Sequence, residues 1–395
     1  LLAANYYKQT NVKAAFVPSN LITQGVQVPI LWNKIFELKV FIHFAVKSFK
    51  WTNNAKGNAG VTVAIIGLSF SDVKKKLLFD QNYVETAQSI SPYLIKNTNV
   101  IVIPKSKPPK GIPPLVMGNK PSDNGNLILN DKEADELFVK FPESKKYVKK
   151  FISGGDFING NHRYCLWIEP ADEPKAKEIP IIKERTDNLY KFRLESDAKS
   201  TREYAKQDYQ FRQISYKSTD GIVVPSTSSE RREYIPLAYV DKNTIVSNAT
   251  NIIYNAEPWI FGVIHSKMHM TWVKAISGKL KTDYRYSANL CYNTFPFPEI
   301  IDKQKVNLNL YVFAVLDERA KYPSKTLAQL YDPNKMPKLL KQAHQELDEA
   351  VERCYRLQPF SNDTERLEYL FKMYEEMAKK DTLFAKQKKT KKSKN

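Results

Sequence analysis

A chain of 395 residues, 42% hydrophobic, is too long for one small core and at roughly 100–200 residues per domain should build two or three. Lysine and arginine number 61 against 42 aspartates and glutamates, a formal +19 that points to a polyanionic partner, nucleic acid before an acidic membrane surface. Cys165, Cys291 and Cys354 lie too far apart for a disulfide framework or zinc-ligand spacing, and no run of about 18 uncharged apolar residues exists, so neither export nor a membrane span is indicated and the expected setting is a reducing cytoplasm.

The opening LLAANYYKQT lacks the basic and apolar regions of a signal peptide. It starts without methionine on what reads as the apolar face of a helix, and the expectation is a piece of a longer or processed chain. KAAFVPSN (13–20) reads as a buried parallel strand, and Val28, Ile30, Leu31, Ile35, Phe36 and Leu38 recur at helical spacing after it. KVFIHFAVKSF (39–49) and GVTVAIIGLSF (60–70) are β-rich. The polar segment between them is too short for a crossover helix, so they should pair as an antiparallel hairpin.

The stretch from 100 to 125 is rich in proline and glycine and reads as a linker or a long functional loop. Helices are expected over 131–152, 175–205 and 258–278, with strands over 163–169, 221–225, 234–240, 244–247 and 250–254. After Pro298 the chain turns helical. Leu340, Ala343, Leu347, Ala350 or Val351, and Cys354 form one stripe, and Leu367, Leu370, Phe371 and Tyr374 another, the second opening on a capping-box spacing between Asn362 and Glu365. The end, KQKKTKKSKN (386–395), reads as a basic disordered tail.

No phosphate-binding loop, zinc-protease motif, nucleophile elbow or dinucleotide fingerprint occurs. His265 and His269 in HSKMH have helical spacing but no third ligand nearby, so no metal is expected. Two constellations stand out. In SFKWTNNAKGNAG (48–60), Phe49 and Trp51 sit among Lys50 and Lys56 where a loop tip is expected, and the rings either stack on a ligand base or fold back onto the hairpin. In GKLKTDYRYSANLCYNTFPFP (278–298), Lys279, Lys281 and Arg285 alternate with Tyr284 and Tyr286. An extended backbone puts both tyrosines on one face and Arg285 on the other. Either the segment meets nucleic acid, through phosphate or base contacts and stacking, or the tyrosines are core and Arg285 pairs with an acid such as Asp283.

Five stretches taken together, FVPSNLITQGVQVPILWNKIFE, IHFAVKSFKWTNNAKGNAGVTVAIIGLS, GNHRYCLWIEP, MHMTWVKAISGKLKTDYRYSANLCYNTFPFPE and LAQLYDPNKMPKLLKQAHQELDEAVERCY, resemble the C-terminal half of the large MmeI-type DNA methyltransferases. The resemblance implies an α/β and α+β multidomain chain. Residues 1–75 would end a Rossmann-like methyltransferase sheet, 76–298 would be a mixed α+β target-recognition domain, and 299–385 a C-terminal helical domain. In that family one polypeptide combines adenine-N6 methylation from S-adenosylmethionine with target recognition and often an endonuclease. The family's Gly-rich cofactor motif and N-P-P-Y/F catalytic motif do not occur here, so both are expected on an upstream core of the same polypeptide and this chain alone should bind no cofactor.

The resemblance further implies a restriction–modification enzyme acting on double-stranded DNA. The target base would be flipped onto Phe49 and Trp51, and Lys50, Lys56, Arg163, Lys279, Lys281, Tyr284, Arg285 and Tyr286 are the DNA-contact candidates. The alternative from a different class is a non-enzymatic nucleic-acid-binding or scaffold protein. It would require 1–75 to fold alone, with its strand edges and apolar faces uncovered.

Overall fold

The computed structural model describes residues 1–7, 9–51, 61–70, 72–80, 83–96 and 98–392. They form two compact units, one of residues 1–111, 266–307 and 348–395, the other of 112–265 and 308–347. Among the described residues no helix is long and apolar enough to cross a membrane.

The first unit is built on a five-stranded sheet of β1 (Lys13–Phe16), β2 (Phe41–Trp51), β3 (Val61–Ser69), β4 (Lys76–Asp80) and β5 (Tyr83–Ala87), in the order β1-β3-β2-β4-β5. β2 and β3 form the expected antiparallel hairpin, from Phe41 opposite Ser69 to Trp51 opposite Val61, with register shifts between Ile42 and Phe44 and between Val46 and Phe49. β1 departs from expectation. It runs antiparallel to β3 at the end of the sheet, with Lys13, Ala15 and Phe16 exposed. A run of four apolar-leaning residues suits a buried strand and an edge strand equally, and only the pairing partner decides between them. β4 lies parallel to β2 and antiparallel to β5, so the sheet continues past residue 75, where the sequence boundary was drawn.

Helix Gln27–Glu37 buries Val28, Trp32 and Ile35, and the Trp32 indole N–H donates to the Ile22 carbonyl at 2.7 Å. The helix expected over 258–278 is two helices, Pro258–Ile264 and Lys267–Ile276, because the Ser266 side chain accepts the His269 N–H and starts the second. Trp272 of that second helix packs on Phe371 and Tyr374 of helix Asp363–Lys392, with ring centroids 5.4 and 5.8 Å away. The Asn362 side chain accepts the Glu365 N–H, as the capping spacing anticipated. This helix runs to Lys392, so most of the segment expected to be a disordered tail is helical. Lysine and glutamine favour helix, and the segment holds no glycine or proline.

In the second unit one antiparallel sheet orders Ala238–Val240, Gly221–Pro225, Thr250–Tyr254 and Leu115–Met117 side by side. Another orders Thr244–Val246, Val148–Ile152, Arg163–Leu166 and Ile128–Leu129. Two expectations fail here for local reasons. The helix drawn over 131–152 opens on a capping box at Asn130 but stops at Lys140, before Pro142, and Val148–Ile152 is a strand. The segment drawn as helix over 175–205 is three helices, Glu173–Ala176, Pro180–Leu194 and Lys199–Arg202, the longest starting on Pro180. Leu115–Met117, inside the proline-rich stretch, also pairs as a strand. Arg193 is wholly buried, its guanidinium donating to the carbonyls of Pro121, Ser122, Gln207 and Gln210. That offsets part of the desolvation cost an unpaired buried cation would carry.

Candidate nucleic-acid interface

The first constellation lies at the end of β2. Residues 48–51, expected in a loop, continue the strand, with Phe49 opposite Val63, Lys50 opposite Thr62 and Trp51 opposite Val61. Alternation puts Phe49 and Trp51 on one face and Lys50 on the other. The two rings lie 6.3 Å apart between centroids, tilted by 46°; Phe49 is half-buried, Lys50 is exposed and Trp51 is 52% exposed. Of the two readings left open for these rings, Phe49 partly fulfils the packed one, and Trp51 keeps a broad apolar face in water. Lys56 lies outside the described residues.

The second constellation is a hairpin, Gly278–Leu280 with Asp283–Arg285. Its register pairs Gly278 with Arg285, Lys279 with Tyr284 and Leu280 with Asp283, and Lys281 makes the turn in the left-handed region at φ +57°. Tyr284 and Tyr286 face inward, 8% and 3% exposed, and Arg285 projects to solvent. The Tyr286 hydroxyl and His269 Nε2 lie 2.7 Å apart, and the edge-on ring of Phe295 stands 4.5 Å from the imidazole centroid. The tyrosines therefore follow the core reading, one of the two that the sequence left open. The reason is the buried partner His269, too distant in sequence for alternation to reveal.

Register also separates the cations. Directly opposed residues share a face, so Lys279 stands on the tyrosine side, its Nζ 5.2 Å from the Tyr284 ring centroid, while Arg285 shares the outer face with the exposed Leu280. Lys281 is exposed at the turn. The hairpin root is held by the Gly25 N–H, which donates to the Ile276 carbonyl at 3.0 Å. Gly25 has φ +62°, and a Cβ there would lie 3.0 Å from the Gly278 Cα, so glycine is favoured by both conformation and space. Downstream, Phe295 and Phe297 are buried 5.0 Å apart, and the Pro296 carbonyl accepts the Tyr355 hydroxyl. The Pro-aromatic run is core.

Arg163, in the second unit, is committed elsewhere. Its Nε and Nη2 both donate to Asp156 Oδ2, at 3.2 and 2.9 Å, and its guanidinium lies 5.3 Å from the Phe151 ring centroid. Burial pushes the Asp156 carboxyl up, but hydrogen bonds from Ser153 and Arg163 outweigh it and hold the pKa below the ordinary value. The Arg163 side chain is 40% exposed, which leaves an outer edge available. His265 and His269 stand on either side of a helix break, not on one helix. His265 is ringed by Tyr234, Phe261, Tyr331 and His344, and burial lowers its pKa well below the ordinary value. Among the described residues no group of three or more histidine, cysteine, aspartate or glutamate side chains could hold a metal.

A cavity of about 360 Å³ in the first unit is lined by Lys47, Lys96 and Lys274 but by none of the candidate residues. Each of those lysines is paired, with Asp80, Glu85 and Asp363 at 2.9, 2.7 and 3.5 Å. The candidate site is thus a surface: one exposed aromatic face at the end of β2, and a hairpin that turns Arg285 and Lys281 outward. Sequence reasoning missed His269, Phe295 and Gly25 as the residues that set this surface. The one local signal was a glycine between Gln24 and Val26 at the entry to a helix.

Family models match the chain in three consecutive parts: the MmeI DNA-methyltransferase domain over residues 1–80, the MmeI target recognition domain over 96–299 and the MmeI C-terminal domain over 300–382. The chain belongs to the MmeI family of DNA methyltransferases. Over 378 residues it is 46% identical to DNA methyltransferase A of Bacillus subtilis (strain 168), covering 95% of this chain and 43% of that protein. It also matches the structure of the Type IIL restriction-modification enzyme MmeI in complex with DNA, with a TM-score of 0.86 and 40% identity over 95% of this chain and 51% of that one. The chain therefore spans about half the length of these MmeI-type relatives. The sheet β1–β5 begins in the part matched by the methyltransferase model, and the 278–285 hairpin lies in the part matched by the recognition model.

Proposed function

We propose that this chain reads a DNA sequence and helps present an adenine for N6 methylation from S-adenosylmethionine, as the recognition half of a cytoplasmic restriction–modification enzyme. The observation that carries this reading is Trp51, a tryptophan 52% exposed at the end of a sheet strand beside Phe49, in a family of DNA methyltransferases. An adenine inside a duplex is out of reach of a methyl donor, and flipping it costs roughly a few kcal/mol. The indole offsets part of that cost by stacking on the extruded base, with Phe49 bracing it from the same face. Arg285 is a major-groove reader or phosphate contact, and Lys50, Lys56 and Lys281 neutralise phosphates. Lys279 and Arg163 contribute at the rim, each already engaged within the protein. Tyr284 and Tyr286 support the hairpin. The catalytic amide acceptor and the cofactor pocket belong to upstream polypeptide, and this chain alone binds no S-adenosylmethionine.

Replacement of Arg285 and Trp51 by alanine in the full-length enzyme tests this reading. Arg285→Ala should weaken duplex binding by about 1–3 kcal/mol if its contact is bidentate to a base. Trp51→Ala should leave duplex affinity nearly intact, slow methylation and raise the fluorescence of 2-aminopurine at the target position, because the quenching ring is gone. If Trp51→Ala and the double replacement with Phe49 both leave methylation and fluorescence unchanged, the stacking assignment is wrong.

A further inference from the structure

We infer that His269 and Tyr286 are a positioning pair: their hydrogen bond, made inside the core, fixes the hairpin that carries Arg285. This rests on the reading of Arg285 as a DNA contact. The hairpin is short: each strand has only three residues and its turn places Lys281 at φ +57°. Attachments at both ends help to hold its geometry. At the entry, the Gly25 N–H holds the Ile276 carbonyl at 3.0 Å. At the exit, one residue beyond Arg285, the Tyr286 hydroxyl meets His269 Nε2 at 2.7 Å.

The exit attachment is rigid on its inner side. His269 is fully buried on helix Lys267–Ile276, which is fixed by Trp272 against Phe371 and Tyr374. The imidazole makes no second hydrogen bond, because Nδ1 has no partner among the described residues. A polar ring in an apolar pocket is expensive unless its one bond matters. Burial lowers its pKa to about 3, so the ring stays neutral and the bond keeps one character across working pH. With the bond in place, the backbone at 285–286 has a single orientation and Arg285 projects along a fixed direction. Without it, the hairpin exit loses this anchor while its root remains tied.

The test is a double-mutant cycle in the full-length enzyme. The probes are a duplex consensus that the wild-type enzyme enriches from a randomised library and a scrambled duplex of equal composition. Tyr286→Phe keeps the ring and deletes the hydroxyl; it should weaken consensus binding about threefold to tenfold and scrambled binding far less. In an Arg285→Ala background the same change should have no further effect, because the pair acts through Arg285. His269→Gln, which retains hydrogen-bonding groups, should bind better than His269→Leu. Equal weakening by Tyr286→Phe in both backgrounds reduces the pair to ordinary packing and overturns the inference. A silent Tyr286→Phe beside a weakened Arg285→Ala overturns it too, with the Arg285 reading intact. A silent Arg285→Ala removes that reading and the inference with it.

Discussion

The end of β2 and the 278–285 hairpin carry the same mixture, aromatic and basic residues in strict alternation, yet they sort it oppositely. At β2 the tryptophan faces water with Phe49 half-buried beside it. In the hairpin both tyrosines point into the core and the arginine between them points out. Alternation alone guarantees two faces but does not say which is inside. The choice is made by what lies behind each strand. Behind the hairpin stands His269, able to satisfy a tyrosine hydroxyl, with Phe295 closing the pocket. An aromatic with a polar tip can be buried there.

The largest effect should separate the two regions by stability. Tyr286→Ala opens a cavity and strips His269 of its bond, and about 3–5 kcal/mol should be lost, read as a fall in denaturation midpoint. Trp51→Ala should move the same midpoint by less than about 0.5 kcal/mol. If the two replacements cost the same, the contrast between an inward and an outward aromatic is broken.

Acid should sharpen it next. Folded His269 titrates at about 3 against its ordinary value of 6.5, because burial disfavours its charge. As pH falls below about 6.5 the unfolded chain takes up the proton first. Stability is therefore full above that value and falls by up to about 1.4 kcal/mol per pH unit toward the folded pKa. His265 and His344, also lowered by burial, add losses of their own. His269→Gln removes one titrating group, so its stability should fall less steeply from pH 7 to 4 than that of the wild type, while Trp51→Ala should parallel the wild type throughout.

The smallest expected effect concerns the lysines. Lys50→Ala and Lys281→Ala should each reduce the log–log salt slope of duplex binding by about 0.9, one phosphate contact apiece. Lys279→Ala, from the tyrosine face, should change it less. A Lys279 effect equal to that of Lys281 would mean that register does not decide which cations meet the backbone.

Much of the framework could be read from the residues, for reasons that remain local. The β2–β3 hairpin follows from two β-rich runs joined by too few residues for a crossover, and the helix near Leu370 from an apolar stripe behind a capping pair. What could not be read depends on partners. The direction of β1 is set by β3, and nothing in its four residues encodes it. Leu115–Met117 pairs with Thr250–Tyr254 despite flanking prolines, because the ladder partner arrives from far along the chain. In the site, the alternation of Tyr284, Arg285 and Tyr286 was legible, but the inward face and the separation of Lys279 from Arg285 required His269 and the register of a turn.

The contact at the hairpin root is lopsided. A methyl group built on Gly25 runs into Gly278, while one built on Gly278 meets nothing within 4 Å. The constraint therefore sits wholly on the segment matched by the methyltransferase model, and the recognition segment is the permissive side of the joint. For anyone splicing a recognition segment from another source onto this scaffold, residue 25 is best kept as glycine, while position 278 can accept a small side chain at the seam.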